Sequence, residues 1–142
     1  MFMNDGEDSL KTRVLVVDDD KTLLDMYTER LKASGYMVYF ANDGEEALSR
    51  AVDTLPHVIL LDVMMPKING FDVLGILKKT PETRNIPVII LTALAQENHR
   101  KKGLGEGASD YIVKSDIMPR EVIQKIEAVI ADQKEKLEKL GR

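Results

Sequence analysis

The sequence contains no cysteine and no tryptophan, only three phenylalanines and five prolines, and no apolar run near the roughly 18 residues of a membrane span. Without thiols there is neither a disulfide nor a thiolate metal centre, which suits a reducing, cytoplasmic setting. The formal net charge is only -4 over 142 residues, so there is no basic field to attract nucleic acid. Neither a direct nucleic-acid partner nor a membrane partner is expected. The start of the chain, Met1 to Thr12, is polar and acidic and has no apolar signal-peptide core, so residues 1–12 read as a flexible tail. Apolar residues still make up 44% of the chain, enough for an ordinary core, and the length suits one domain.

The dominant pattern is short apolar runs alternating with amphipathic stretches. The runs are Val14–Val17, Tyr36–Ala41, His57–Leu61, Val88–Leu91 and Tyr111–Val113. Between them, Leu23, Leu24, Tyr27 and Leu31 mark one helical face, ended by Gly35. Asp43 is placed to cap a helix through Ala47, Leu48, Ala51 and Leu55, which Pro56 stops. Pro66–Gly70 reads as a loop, Phe71–Lys79 as a helix, and Gln96–Leu104 as a weak polar helix. Pro119 opens a last helix at its first turn. Five βα units of this kind predict a parallel sheet covered by helices on both faces. The runs at 14–17, 58–61 and 88–91 are apolar without alternation, as strands buried on both sides should be.

Four runs end in a residue able to do chemistry: Asp18-Asp19-Asp20, Asp62, Thr92 and Lys114. In an open parallel sheet, ligands bind beyond the carboxyl ends of the strands, so these groups should converge. Taken singly, each has a plainer role, as a helix cap, a turn residue or a solvated charge, and Asp20 keeps the capping role. Caps alone do not explain acids after two strands with a hydroxyl and an ammonium after two more. Two carboxylates about 4 Å apart repel by about 4 kcal/mol at an effective dielectric near 20. Such a cluster retains a proton or takes a hard cation, Mg²⁺ or Ca²⁺. The hydroxyl and ammonium suit phosphoryl oxygens. The set points to Mg²⁺-dependent phosphoryl chemistry with one carboxylate as nucleophile.

The stretches Val14-Leu15-Val16-Val17-Asp18-Asp19-Asp20, Leu60-Leu61-Asp62-Val63-Met64-Met65-Pro66 with Asn69-Gly70, Leu91-Thr92-Ala93, and Gly107–Lys114 resemble the receiver domains of two-component response regulators. The intervals fit as well: 43 residues from Asp19 to Asp62, 30 to Thr92 and 22 more to Lys114. The resemblance covers about residues 13–131. It implies a flavodoxin-like (βα)5 fold, a doubly wound parallel sheet in the order 2-1-3-4-5. It implies that Asp62 accepts a phosphoryl group from a sensor histidine kinase or phosphotransfer protein. Asp19, Asp62 and the backbone carbonyl of Met64 would ligate Mg²⁺, with Asp18 acting through water. Lys114 would pair with the phosphoryl group, Thr92 would bond one of its oxygens, and Tyr111 would change orientation as Thr92 moves. A downstream protein would read the face of the fourth helix, fifth strand and fifth helix. One departure is Ser115, where the family often has a cis proline; a trans bond and another loop path are expected.

The domain is expected to span 13–132, with 133–142 an exposed extension of the last helix, where Glu135 and Lys139 form an i,i+4 pair. A stand-alone regulator without an output domain, monomeric or weakly dimeric, is the expectation. The fourth helix, with Gly103 and Gly105 each weakening it by about 1 kcal/mol, is expected to move, and His99–Lys102 to be a solvated face. Two rival readings are a receiver-fold interaction module that ignores phosphorylation and an aspartyl-nucleophile phosphotransferase or phosphatase. The latter class usually carries a second Asp two residues after the nucleophile, where this chain has Met64.

Overall fold

The computed structural model describes residues 11–140. The tail expected over 1–12 therefore lies outside the described residues except for Lys11 and Thr12, and so do the last two residues of the expected extension. The described elements run β1 (Arg13–Val17), α1 (Lys21–Ala33), β2 (Met37–Ala41), α2 (Gly44–Thr54), β3 (Val58–Leu61), α3 (Gly70–Lys79), β4 (Val88–Thr92), α4 (Glu97–Gly105), β5 (Asp110–Val113) and α5 (Pro119–Leu140). A single 3₁₀ turn, Lys114–Asp116, leads from β5 toward α5. All strand pairs are parallel and the sheet order is β2-β1-β3-β4-β5, as expected.

The two-residue period of each strand divides the core. Leu15, Val17, Ile59, Leu61, Val88 and Ile90 face α2 and α3 on one side. Val14, Val16, Val58, Leu60, Ile89 and Leu91 face α1 and α5 on the other. Burial on both faces is why these strands carry unbroken apolar runs. The helix ends are fixed locally. Asp20 Oδ1 accepts from the amides of Thr22 and Leu23, Asp43 Oδ1 from Glu46, and Asn69 Oδ1 from Asp72. Gly35, at φ +95°, supplies the left-handed turn after α1.

Several expectations change in detail. Leu23 stays outside the core, and Met26 packs there instead. Leu55 is not a buried helix residue; it ends α2 in the left-handed region at φ 44° and lies exposed. Gly70 belongs to α3 rather than to the preceding loop. Ile123 joins Val122 and Ile126 in the core, while Leu137 and Leu140 are exposed. Every described peptide bond is trans, and the 3₁₀ turn is the path taken at Ser115.

His57 closes the end of the sheet opposite the acidic edge. The amide of Arg13 donates to its Nδ1 (3.0 Å), and its own amide donates to the Arg13 carbonyl. The Arg13 guanidinium also donates to the carbonyls of Thr54 and Leu55, satisfying the end of α2. Burial and the Arg13 charge hold the His57 imidazole below its ordinary pKa. The amide bond adds to this, since a protonated Nδ1 has no lone pair to accept with. Folding thus favours neutral His57. Its contribution is complete above the unfolded value of about 6.5 and is lost as pH falls through the lower folded value. The melting temperature of the wild-type protein should therefore fall more steeply than that of His57→Gln between about pH 7 and pH 5. Parallel curves would contradict the assignment.

Candidate functional site

Where β1 and β3 end, the ladder continues by one residue on each. The amide of Asp18 donates to the carbonyl of Ala41 (3.1 Å) and that of Asp62 to the carbonyl of Val17 (2.9 Å). With Val17 opposite Leu61, the two acids stand side by side at the carboxyl edge of the sheet. Both are buried, each about 5% exposed. Asp19 lies next to them but is open to solvent, and carboxylate oxygens of Asp18, Asp19 and Asp62 all fall within 4.8 Å of one another.

Lys114 reaches this cluster from the end of β5. Its Nζ donates to Asp18 Oδ2 at 2.9 Å and to Asp62 Oδ2 at 3.0 Å. The other oxygens are held by backbone: Asp18 Oδ1 accepts from the Asp20 amide (2.9 Å) and Asp62 Oδ1 from the Met64 amide (3.0 Å). Burial raises the pKa of Asp18, and the Asp62 charge adds to that, against the lowering effect of its bonds to Lys114 and Asp20. Burial alone would lower the Lys114 pKa, but its two carboxylate partners outweigh that and the net shift is upward. One ammonium among three carboxylates leaves excess negative charge, which is the electrostatic condition for a cation.

Thr92 is fully buried at the end of β4. Its Oγ1 accepts from the Leu94 amide at 3.4 Å, a long and therefore weak bond. Tyr111 is also buried, and its hydroxyl donates to the Leu94 carbonyl at 2.8 Å. The backbone of Leu94 thus lies between Thr92 and Tyr111, its amide bonded to one and its carbonyl to the other, a connection that no residue pattern announces. Asp18, Asp19, Asp62 and Lys114 form one cluster, with the Met64 amide bonded into it. Thr92 and Tyr111 form a second, adjoining group through Leu94.

Two further residues shape the site. The amide of Gly70 donates to the carbonyl of Val63 (3.0 Å), folding the β3–α3 loop back over the end of β3. A Cβ at Gly70 would lie 2.3 Å from Val63 Cα and 2.5 Å from the Asp62 carbonyl oxygen. At the turn of the same loop, Lys67 takes a left-handed φ of 68° and its Nζ lies 3.3 Å from Asp43 Oδ2. The pair Asn69-Gly70 was visible as a motif, but its reason is this close approach between segments.

The stretch His99–Lys102 is not simply a solvated face. Arg100 Nη1 donates to the Tyr111 carbonyl (2.9 Å), Lys102 Nζ lies 5.0 Å from the centre of the Phe71 ring, and His99 stacks on that ring at 6.2 Å. Gly103, read as a weak point in a helix, is the buried residue of α4.

The sequence model described as "Response regulator receiver domain" matches residues 14–127. The chain is 45% identical over 111 residues to Response regulator PleD of Caulobacter vibrioides, covering 77% of this chain and 24% of that protein. It is 43% identical over 118 residues to Transcriptional regulatory protein CpxR of Escherichia coli, covering 83% and 49%. It thus spans between about a quarter and a half of the length of the curated relatives it matches. The crystal structure of a CheY-like response regulator receiver domain protein from Methanospirillum hungatei superposes with a TM-score of 0.83 at 28% identity, covering 89% of this chain and 98% of that one. The ordered carboxylates, the lysine and the (βα)5 sheet agree with these likenesses, and the chain belongs to the family of response regulator receiver domains.

Proposed function

We propose that this chain is a phosphorylation-driven switch in which Asp62 takes a phosphoryl group from a phosphohistidine on a sensor kinase or phosphotransfer protein. The observation that carries this reading is the Lys114 ammonium shared between the buried carboxylates of Asp18 and Asp62, beside the open carboxylate of Asp19. An oxygen of Asp62 attacks phosphorus, the phosphorus–nitrogen bond breaks, the imidazole leaves, and an acyl phosphate remains. Lys114 already bridges the two acids, so it can follow the phosphoryl oxygens while keeping Asp18 as its partner.

The donor set fits Mg²⁺: hard oxygens, excess negative charge and one side open to water. Asp19, Asp62 and the Met64 carbonyl would hold it, with Asp18 through water. Bound there, it supplies positive charge to the phosphoryl oxygens. Phosphorylation adds about -1.5 to -2 charges at this edge. The Thr92 hydroxyl, weakly held by Leu94, turns to a phosphoryl oxygen and releases the Leu94 amide. The Leu94 carbonyl accepts from the Tyr111 hydroxyl, so the orientation of Tyr111 is coupled to the movement of Thr92. The face of α4, β5 and α5 then differs between the two states, and a downstream protein reads that difference. The setting is cytoplasmic, the receiver unit spans 13–132, residues 133–140 extend the last helix, and the unit is a monomer or weak homodimer.

Incubation with acetyl phosphate and Mg²⁺, followed by phosphate release measured over hours, separates the readings. A switch consumes about one equivalent and then turns over slowly, with none consumed by Asp62→Asn. A phosphorylation-independent module consumes none. An aspartyl phosphatase releases phosphate continuously at many equivalents per chain.

A further inference from the structure

Helix α2 begins with a glycine, a poor helix former, and that residue is buried. The fold supplies the reason, because the start of α2 lies directly against the β3–α3 loop. A Cβ at Gly44 would lie 2.5 Å from the Ile68 carbonyl oxygen, 2.8 Å from Ile68 Cβ and 3.1 Å from Val73 Cγ2. The oxygen is backbone and Ile68 Cβ is bonded directly to it through Cα, so neither can rotate away. A second tie lies one residue earlier. Asp43 Oδ1 accepts from the Glu46 amide at 2.9 Å and caps α2, while Asp43 Oδ2 lies 3.3 Å from Lys67 Nζ. One carboxylate thus fixes both the start of the helix and the turn of the loop, where Lys67 is held at φ 68°.

We propose that Gly44 is a positioning residue of the metal site: the start of α2 is the seat on which the β3–α3 loop rests, and that seat sets where the loop presents Met64 beside Asp62. The inference rests on the reading of the Met64 carbonyl as a metal ligand. The loop is closed on itself by the bond from the Gly70 amide to the Val63 carbonyl (3.0 Å), and Gly70 has no room to move toward Asp62 and Val63. A push at Ile68 is therefore not absorbed at the far end of the loop. It passes to the Met64 end, where the amide of Met64 holds Asp62 Oδ1 and its carbonyl would face the cation. Mg²⁺ demands near-ideal octahedral geometry, so a small displacement of one ligand weakens binding out of proportion to its size. The weak helix start at Gly44 is retained because a side chain there would move this loop.

The test uses the full chain labelled with ¹⁵N-methionine, its Met64 signal assigned by comparison with Met64→Leu. In the metal-free protein, the Met64 amide proton of Gly44→Ala should move upfield as its bond to the Asp62 carboxylate lengthens, while the signals of Met26 and Met37 stay in place. Titration with MgCl₂ should give a dissociation constant about tenfold above that of the wild type. Leu31→Ala, a buried change on the opposite face of the sheet, should lower the melting temperature and do neither. An unmoved Met64 signal, an Mg²⁺ constant within about twofold of wild type, or the same changes in Leu31→Ala, overturns the proposal. Lys67→Met, which removes the second tie from an exposed position, should move the Met64 signal in the same direction by less. If Gly44→Ala does not fold, that variant decides: a moved signal supports the seat and an unmoved one overturns it. If the wild type itself takes up no Mg²⁺, the reading of the metal site fails, yet the metal-free Met64 signal still decides whether Gly44 sets the loop.

Discussion

Replacing Lys114 with Met should destabilise the metal-free protein by about 2–4 kcal/mol, and Mg²⁺ should restore a large part of the loss. The Lys114 ammonium is shared by Asp18 and Asp62, whose side chains are 7% and 6% exposed. Removing it leaves two buried carboxylates facing each other with no cation between them. Breaking a buried pair of this kind typically costs about 3–5 kcal/mol; the lower range applies because Lys114 itself is partly exposed and Asp18 can take up a proton. The melting temperature should drop by on the order of 10 °C. A divalent cation at the same carboxylates supplies the missing charge, so Mg²⁺ should raise the melting temperature of the variant more than that of the wild type. The same substitution on an exposed ion pair such as Lys139–Glu135 should change stability by less than about 1 kcal/mol. Equal stability of Lys114→Met and wild type would mean that the two acids do not share this charge in solution.

The second large effect is expected at Gly70. A Cβ there meets backbone on two sides, Val63 Cα at 2.3 Å and the Asp62 carbonyl oxygen at 2.5 Å, and neither can rotate away. Gly70→Ala should therefore cost about 3 kcal/mol or more, at the upper end for overpacking. The loop between β3 and α3 would be pushed off the end of β3, carrying with it the Met64 amide that holds Asp62 Oδ1. Loss of phosphoryl acceptance should exceed what the loss of stability alone explains. Gly75 provides the control. It lies in the same helix with nothing within 4 Å of a Cβ, so Gly75→Ala should stabilise by about 1 kcal/mol through helix propensity. Denaturant unfolding of both variants checks the pair. Similar values for the two would contradict the close approach at Gly70.

The sheet and its edge were legible because their causes are local. Strands buried on both faces must be apolar throughout, so Val14–Val17, Val58–Leu61 and Val88–Leu91 stand out as unbroken runs. A parallel sheet aligns its carboxyl ends, so residues that follow or end such runs converge without any knowledge of loops. Asp18, Asp62, Thr92 and Lys114 all lie at that end of the sheet. What remained hidden depends on distances between segments far apart in sequence. Gly70 and Gly103 looked like a turn residue and a helix defect, because only the folded chain shows which backbone or ring each one faces. The link from Thr92 to Tyr111 through Leu94 left no mark in the residue type, since it is made by the Leu94 amide and carbonyl rather than by its side chain. Arg100 and Lys102 read as solvated charges because their partners, the Tyr111 carbonyl and the Phe71 ring, lie on other elements. His57 shows in the sequence only as the start of an apolar run, whereas its role is to accept a backbone amide at the end of the sheet.

The account rests on Asp62 as the acceptor, and one measurement addresses that directly. The protein is incubated with acetyl phosphate and Mg²⁺, reduced with borohydride to convert any aspartyl phosphate to homoserine, digested and mapped by mass. The account predicts a single converted residue, Asp62, with no conversion at Asp18 or Asp19 and none anywhere in Asp62→Asn. An unmodified chain, or conversion at another carboxylate, would contradict it.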